Sequence, residues 1–397
     1  MKVLVLDGNQ NQAVASVRSL AAAGYTVIAG EDTSWSKAGS SRFCQGSIRY
    51  PSPRKSTDQF VQAIAEFVRE NPGVLVLPMT EATTLPIAAQ REFLTSAGAR
   101  FVFPDQINLV RAFDKNETTQ LVSSMGIAVP KTIVVSTSEQ LLNVTNALRF
   151  PLVLKPVASE ELSSDGKVRS GGRPRYASNL AQSEEAFLDI SRRASSVLVQ
   201  EFVEGEGTGY FALMRHGELR AEFAHRRIRD VHPTGSGSAV RESVAVDPEI
   251  RQCSLAILSA LHWHGVAMIE YRRKAGSPPV FMEVNGRFWH SLPLACYAGV
   301  DFPALLARMA EQGDIEPQHA YLTGLRCRWF LGDARHLLGV WKGPPSGYTG
   351  TFPGRLRTLL NVLTPVPGTY HDLFQWHDPL PEFGDWIRMA LRLFGRN

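Results

Sequence analysis

Residues 262–295 read HWHGVAMIEYRRKAGSPPVFMEVNGRFWHSLPLA. Two apolar runs in this stretch, VAMIEYR (266–272) and PVFMEVN (279–285), are joined by the turn-rich KAGSP and predict adjacent strands. Glu283 and Asn285 are two residues apart, so their side chains share one face. If the strands pair, Glu270 faces the same side. Two carboxylates and an amide oxygen on one surface make a hard-oxygen site suited to magnesium carrying nucleotide phosphates. Arg287 stands just beyond, where a planar guanidinium grips a phosphate through two bonds. The competing reading is structural, with strand-end carboxylates neutralised by Arg272 or Arg273.

Upstream, residues 196–245 are mostly β: VLVQEFV, GYFALMR, LRAEFAHRRI and SAVRESVAV, followed by one amphipathic helix over 249–262. The strand VLVQEFVEGEG (197–207) ends in Gln200-Glu201 and runs on through Phe202-Val203. It reads as the edge of an adenine pocket. Glu201 would accept from the adenine amino group, the Val203 backbone would pair with the ring, and Glu206 would reach ribose hydroxyls. Arg226, Arg227 and Arg229 lie on or just after one strand and Arg241 on the next. Alternation points Arg227 and Arg229 to one face, where one of them clamps a substrate carboxylate; a salt-bridged sheet surface explains the same pattern. His290 and Ser291 follow Arg287 closely enough to line an acceptor pocket. His262 and His264, flanking Trp263 near a helix end, read as structural.

Nearer the N-terminus the rhythm changes. Residues 2–6 (KVLVL) form an apolar run ending at Asp7-Gly8, as buried parallel strands do. A helix over 10–23 with Gly24 as its C-cap, a strand at 25–29, a helix near 57–70, a strand at 74–77, a helix near 83–95 and a strand at 101–103 follow. Strands alternating with helices imply a parallel sheet with helical crossovers. Thr80-Glu81, just after the 74–77 strand, is a candidate contribution of this unit to the site. Residues 115–125 are helical, MGIAVP (125–130) breaks the helix, and strands at 131–135 and 152–156 flank a helix over 138–148. Lys115 opens one helix and Lys155 closes the strand LVLKP, and lysine is a compact point charge for phosphate oxygens. Residues 157–173, with Ser164, Gly166 and Gly171-Gly172, predict a mobile glycine-rich loop whose N–H groups approach phosphates closely. They do not spell the GxxxxGK[ST] phosphate loop.

The bulk numbers bound the class. At 397 residues, with 44% hydrophobic and 20% charged, the chain predicts a soluble protein of two or three packed units. A formal charge of +4 with no basic–aromatic run argues against nucleic acid. Cys44, Cys253, Cys296 and Cys327 form no CxxC pair and predict reduced thiols in a cytoplasmic protein. No apolar run approaches the roughly 20 residues of a membrane span, and the start is too short for a signal peptide. The tail over 321–397 is irregular and rich in Pro, Gly and Trp. It ends in DWIRMALRLFGR, where Arg388, Arg392 and Arg396 form one stripe and Trp386, Ala390 and Phe394 another. A docked terminal helix with a solvated basic face and an interfacial membrane helix both fit that pattern.

In order and spacing, FDKNETTQLVSSMGIAVPKT (113–132), PLVLKPVAS (151–159), VLVQEFVEGEGTGYFAL (197–213), HWHGVAMIEYR (262–272) and FMEVNGRFWHSLPLA (281–295) resemble the ATP-grasp superfamily. Within it the chain is similar to the predicted carboxylate–amine ligases with a carbamoyl-phosphate-synthetase-like or biotin-carboxylase-like domain. The resemblance covers about residues 1–310. It implies an α/β and α+β fold: a Rossmann-like N-terminal domain (1–112), a two-lobed ATP-grasp domain (113–320, with the lid lobe about 113–200 and the metal-site lobe about 201–320) and a C-terminal extension (321–397). It implies ATP binding by Lys115, Lys155, Gln200, Glu201, Phe202, Val203 and Glu206 under a lid carrying Ser164 and Gly166. Glu270, Glu283 and Asn285 would hold two magnesium ions, for which manganese substitutes. Arg287, Lys155 and Arg227 become the catalytic candidates, and Arg229, Arg241, His290, Ser291 and Glu81 the substrate candidates. Gly286 departs from the proline that many relatives carry there, and the long basic lid departs as well.

The activity so implied is ATP-dependent C–N bond formation between a small-molecule carboxylate and an amine, through an acyl phosphate, with release of ADP and phosphate. A thiol, hydroxyl or bicarbonate acceptor, or a non-catalytic nucleotide-binding regulator, keeps the same fold, and a homodimer is left open. The turn DGNQNQ lacks GxGxxG, which argues against an NAD enzyme.

Overall fold

The computed structural model describes residues 1–145 and 147–393. The apolar run after Met1 is the central strand of a parallel sheet: β1 (Lys2–Val5), α1 (Asn11–Ala22), β2 (Thr26–Glu31), β3 (Gly46–Arg49), α2 (Thr57–Glu70) and β4 (Leu75–Leu77) give the order β3-β2-β1-β4, all parallel. Val3, Leu4 and Val5 are wholly buried, as a strand covered on both faces requires. α2 starts where Ser56 accepts from the Gln59 N–H. The expected strand at 101–103 does not form. Arg100 makes a single bridge to Leu75, and the carbonyls of Phe103 and Pro104 accept from Arg91 instead of a neighbouring strand. The chain continues through α3 (Glu81–Ala89), α4 (Arg91–Ser96), α5 (Gln106–Phe113) and α6 (Lys115–Ser124).

A second, antiparallel sheet follows. β5 (Thr132–Val135), α7 (Ser138–Thr145), β6 (Leu152–Pro156), β7 (Glu160–Ser163), β8 (Lys167–Ser170), β9 (Arg175–Ala177), α8 (Leu180–Ser191) and β10 (Val197–Glu201) place four strands in the order β5-β10-β6-β9 over their own apolar core. The segment expected as a mobile loop is a docked hairpin. β7 and β8 pair from Glu160↔Ser170 to Ser163↔Lys167, and Gly166 takes the positive φ of the turn. It rests on the first sheet's unit: at the tip Thr57 donates its N–H and hydroxyl to the Gly166 carbonyl at 2.9 and 3.0 Å, and at the open end Arg54 grips Glu160 at 2.7 and 2.5 Å.

The third sheet has seven strands. β11 (Glu206–Arg215), β12 (Glu218–His232), β13 (Ser236–Ser243), α9 (Pro248–Ala260), β14 (Gly265–Arg273), β15 (Val280–Asn285), α10 (Leu292–Ala298) and α11 (Phe302–Gln312) lead to β16 (Arg326–Arg328), α12 (Phe330–Lys342), α13 (Arg355–Leu363), β17 (Thr369–His371) and α14 (Leu380–Leu393). The order is β15-β14-β11-β12-β13-β16-β17. The tail is therefore not irregular. β16 and β17 extend the sheet, and at three residues each they are too short to show alternation in sequence. α14 docks through Asp385, which accepts from Lys37 at 2.8 Å and from the Trp329 indole at 2.7 Å. Its Trp386 and Ala390 face solvent; Phe394 and Arg396 lie outside the described residues. One apolar core joins the first and third sheets, from Val14 and Leu20 to Trp289 and Leu305. No helix among the described residues is long and apolar enough to cross a membrane.

Candidate functional site

β14 and β15 pair so that Glu270 stands directly opposite Glu283, with Asn285 two residues on. These carboxylates line a cavity of about 300 Å³ together with Lys115, Lys155 and Arg227. Local chemistry sets each cation. Asp114 caps α6 by accepting from the N–H groups of Asn116 and Glu117, which fixes Lys115 in the first turn. The Lys115 ammonium then donates to Ser159 at 2.8 Å and stands 3.9 Å from Glu283. Lys155 is buried at the end of β6. Burial pushes its pKa down to about 8; Lys115 and Arg272 add to this, and Glu283 and Glu270 oppose it. Arg227 reaches across β11 to Glu270 at 2.6 Å. A Cβ at Gly207 would come within 3.1 Å of the Arg227 Cδ, so the bare glycine leaves that path open.

The pKa values of the two carboxylates are shifted in opposite directions. Burial raises the Glu270 pKa, and Glu283 adds to the rise against the pull of Arg227. Burial also acts on Glu283, but Lys115, Lys155, the Asn285 amide and Arg287 outweigh it and the net shift is downward. Asn285 donates its amide N–H to Glu283 at 3.2 Å, which leaves its carbonyl oxygen as a donor to a cation. This set of carboxylate and amide oxygens fits magnesium.

Arg287 donates to the Phe288 carbonyl at 3.0 Å and stands 3.8 Å from Glu81, the first residue of α3. Glu81 is 7% exposed, and its Oε2 has no hydrogen-bond partner among the described residues. Burial raises its pKa against Arg287 and Lys115. At Gly286 a Cβ would fall 2.5 Å from the Trp263 indole, so in this chain the ring holds the space that a bulkier residue would need.

The adenine-edge candidates separate. Gln200, Glu201, Phe202 and Val203 all line the cavity. The Glu201 carboxylate accepts from the Arg149 N–H at 3.0 Å and faces the Arg149 guanidinium at 3.5 Å. Glu206 is exposed and lines a neighbouring cavity that shares Phe202, Arg227 and Arg272 with the first. Ser164 and Gly166 lie at the hairpin tip against α2 and not in the cavity; from this segment Ser159 and Gly172 reach it.

None of the five substrate candidates lines that cavity. Arg241 is 0% exposed and is paired with the equally buried Asp372. Arg229 pairs with Asp333 and donates to the Asn361 carbonyl at 2.9 Å. It does not share Arg227's environment, because the register shifts between Arg227 and Arg229 and the simple alternation fails there. Ser291 hydrogen-bonds His225 at 2.8 Å in the core. His290 lines a second cavity.

Sequence reasoning missed two groups, Tyr348 and Asp230, and read Arg272 only as a counter-ion for the strand-end carboxylates. Arg272 donates to the carbonyls of Val203, Gly205 and Gly235 and lies 6.0 Å over Phe202, tying the adenine-edge segment to β14. Tyr348 completes an aromatic cluster with Tyr176 and Phe202, at 5.1 and 5.8 Å. Asp230 faces Arg227 at 3.6 Å. Only Asp230 carried a signal, three residues from Arg227; Tyr348 sits in a Pro/Gly-rich stretch without periodicity.

A family model described as ATP-grasp in the biosynthetic pathway with Ter operon matches residues 193–331. The D-alanine–D-alanine ligase of Aquifex aeolicus (strain VF5) is 34% identical over 213 residues, 51% of this chain and 70% of that enzyme. The chain belongs to the ATP-grasp family. This ATP-grasp chain is also 27% identical over 215 residues to the N-terminal section of the carbamoyl phosphate synthase large chain of Methanopyrus kandleri (strain AV19). That match covers 51% of the chain and spans only 36% of the relative's length. Among solved structures, the ATP-grasp chain is similar to the biotin carboxylase domain of the Hydrogenobacter thermophilus 2-oxoglutarate carboxylase, in complex with MgADP, ADP and bicarbonate. There the TM-score is 0.64 at 15% identity, covering 82% of this chain and 72% of the other. At that identity the likeness establishes the fold.

Proposed function

We propose that this ATP-grasp protein is an ATP- and magnesium-dependent carboxylate–amine ligase that forms a C–N bond through an acyl phosphate. The observation that carries the reading is the convergence of Lys115, Lys155, Arg227, Glu270 and Glu283 on one cavity of about 300 Å³. The name of the D-alanine–D-alanine ligase relative supports the C–N bond. Glu270, Glu283 and Asn285 would hold two magnesium ions, with manganese as a substitute, and these ions supply charge neutralisation of the nucleotide phosphates. Lys115 and Lys155 hold phosphate oxygens from the lid side. Arg287 neutralises charge developing on the transferred phosphoryl group. Glu81, with one unpartnered oxygen, accepts an N–H from the incoming amine. The adenine amino group meets the backbone at Glu201 rather than its carboxylate, and Phe202 and Val203 flank the ring.

We keep the division 1–112 (Rossmann-like), 113–320 (ATP-grasp lobes) and 321–397, with the last segment joined to the metal-site lobe through β16 and β17. A cytoplasmic homodimer is part of the same reading.

The test is MgATP-dependent phosphate release across amino acids and other carboxylates, offered singly and in pairs. Release that requires one acid and one amine supports the ligase. Release with a thiol, hydroxyl or bicarbonate in place of the amine changes the acceptor. ATP binding without release under any pairing leaves a nucleotide-binding regulator.

Lys155 gives a second, independent check. Its pKa of about 8 rises when a polyphosphate arrives, so binding takes up protons where the ammonium is partly deprotonated. At pH 8 about half a proton per site is expected, falling toward zero below about pH 7. Calorimetric titration of MgATP in buffers of different ionisation enthalpy measures the uptake, and Lys155→Gln abolishes it.

A further inference from the structure

The connection between α12 and α13, residues 343–354, crosses to the unit built on the second sheet. Ser346 accepts from the Gln182 amide of α8 at 3.1 Å. Gly347 has a φ of +77°, and a Cβ there would fall 2.5 Å from the Tyr176 carbonyl oxygen of β9. A backbone this close to β9 needs a residue without a side chain. At Gly350 a Cβ would meet the Tyr348 hydroxyl at 2.6 Å and the Phe202 ring at 3.1 Å. The connection therefore lies against β9 and against the segment after β10 at once.

Tyr348 fills the space between these two contacts. Its ring centroid stands 5.1 Å from that of Tyr176 and 5.8 Å from that of Phe202, at 81° and 89° between planes. Tyr176 and Phe202 are 6.2 Å apart at 69°. Edge-to-face contacts of this kind are a favoured arrangement of aromatic pairs. Tyr176 and Phe202 line the first cavity, of about 300 Å³, whereas Tyr348 lines the neighbouring one, of about 840 Å³. Tyr348 thus stands behind two rings that face the first cavity. Its hydroxyl donates to the Thr351 carbonyl at 3.3 Å, inside its own connection, so the ring rather than the hydroxyl joins the three segments.

We propose that Tyr348 is a positioning residue for the nucleotide base. It holds Tyr176 and Phe202 as the wall against which the base stacks, and so makes the α12–α13 connection part of base recognition. The inference rests on the reading above that the base lies at Phe202 and Val203. Tyr348 stands beyond residue 331, outside the family match, so this support comes from the C-terminal segment and not from the matched region. It acts on the base and not on the phosphates. Lys115 takes its position from the Asp114 cap and from Ser159, and owes nothing to the aromatic cluster.

The experiment is calorimetric titration of the full chain, of Tyr348→Ala and of Tyr348→Phe, with MgATP and with magnesium tripolyphosphate, which offers phosphates without a base. The wild type should bind MgATP more tightly than tripolyphosphate. In Tyr348→Ala the MgATP affinity should fall roughly tenfold, the size of two lost aromatic contacts, while tripolyphosphate affinity stays within about twofold. Tyr348→Phe should keep the wild-type preference. An alanine variant that keeps that preference overturns the proposal, and so does one that loses both ligands equally, because a general loosening then accounts for the loss. A phenylalanine variant as impaired as the alanine one overturns the role of the ring. If the wild type itself binds tripolyphosphate as tightly as MgATP, the reading of the base site fails, and this proposal with it.

Discussion

Glu283→Ala is expected to lower MgATP-dependent phosphate release by roughly 10²–10³-fold, the range found when a single preorganised electrostatic group is removed from a transition state. Glu283 is ionised in the resting site because Lys115, Lys155, Asn285 and Arg287 together outweigh its burial. On the proposed reading, deleting it takes away a metal oxygen, and it leaves the Lys115 ammonium, 3.9 Å away, without its counter-charge. The two effects oppose each other in binding. Free ATP should bind the variant at least as well as the wild type, because repulsion of the phosphates is relieved. The stimulation by magnesium should disappear. Titrating magnesium against nucleotide affinity and phosphate release separates them, and Glu283→Gln, nearly isosteric and neutral, should behave like the alanine variant. Release within tenfold of wild type, with magnesium stimulation intact, would refute the metal role.

The sequence made the β14–β15 pair legible because three signals coincide there: two apolar runs, a turn between them, and polar residues at a period of two. The alternation of 2–6, 74–77 and their helices likewise announced the parallel sheet. What stayed hidden depends on register or on long-range partners. Arg229 leaves Arg227's face because of a bulge that no local pattern announces. Glu201 turns to Arg149, some fifty positions away, and Arg241 to Asp372, more than a hundred away. The hairpin β7–β8 was obscured by its few apolar residues. Its order comes from Thr57 and Arg54 on another unit, and not from its own composition.

Arg241→Ala is expected to destabilise the protein by about 3–5 kcal/mol, since removing one partner of a buried pair leaves the other charge without compensation. Both side chains of the Arg241–Asp372 pair are 0% exposed. Asp372 also accepts from the Cys327 thiol at 3.0 Å and from the Asn11 amide at 3.5 Å, so it joins β13, β16, the segment after β17 and the start of α1 at one point. The stranded carboxylate has no route to water, and the C-terminal strands would be first to lose their anchorage. Urea unfolding of the full chain measures the loss. Arg241→Met combined with Asp372→Leu removes both charges and should recover most of it, because buried pairs replaced by apolar side chains of similar volume often cost little. The same variants decide the role once assigned to Arg241 from its strand position. A substrate clamp would raise the KM for the acid in Arg241→Ala at unchanged stability. A structural pair gives the reverse: a lower unfolding midpoint, and in the double variant a KM close to that of the wild type.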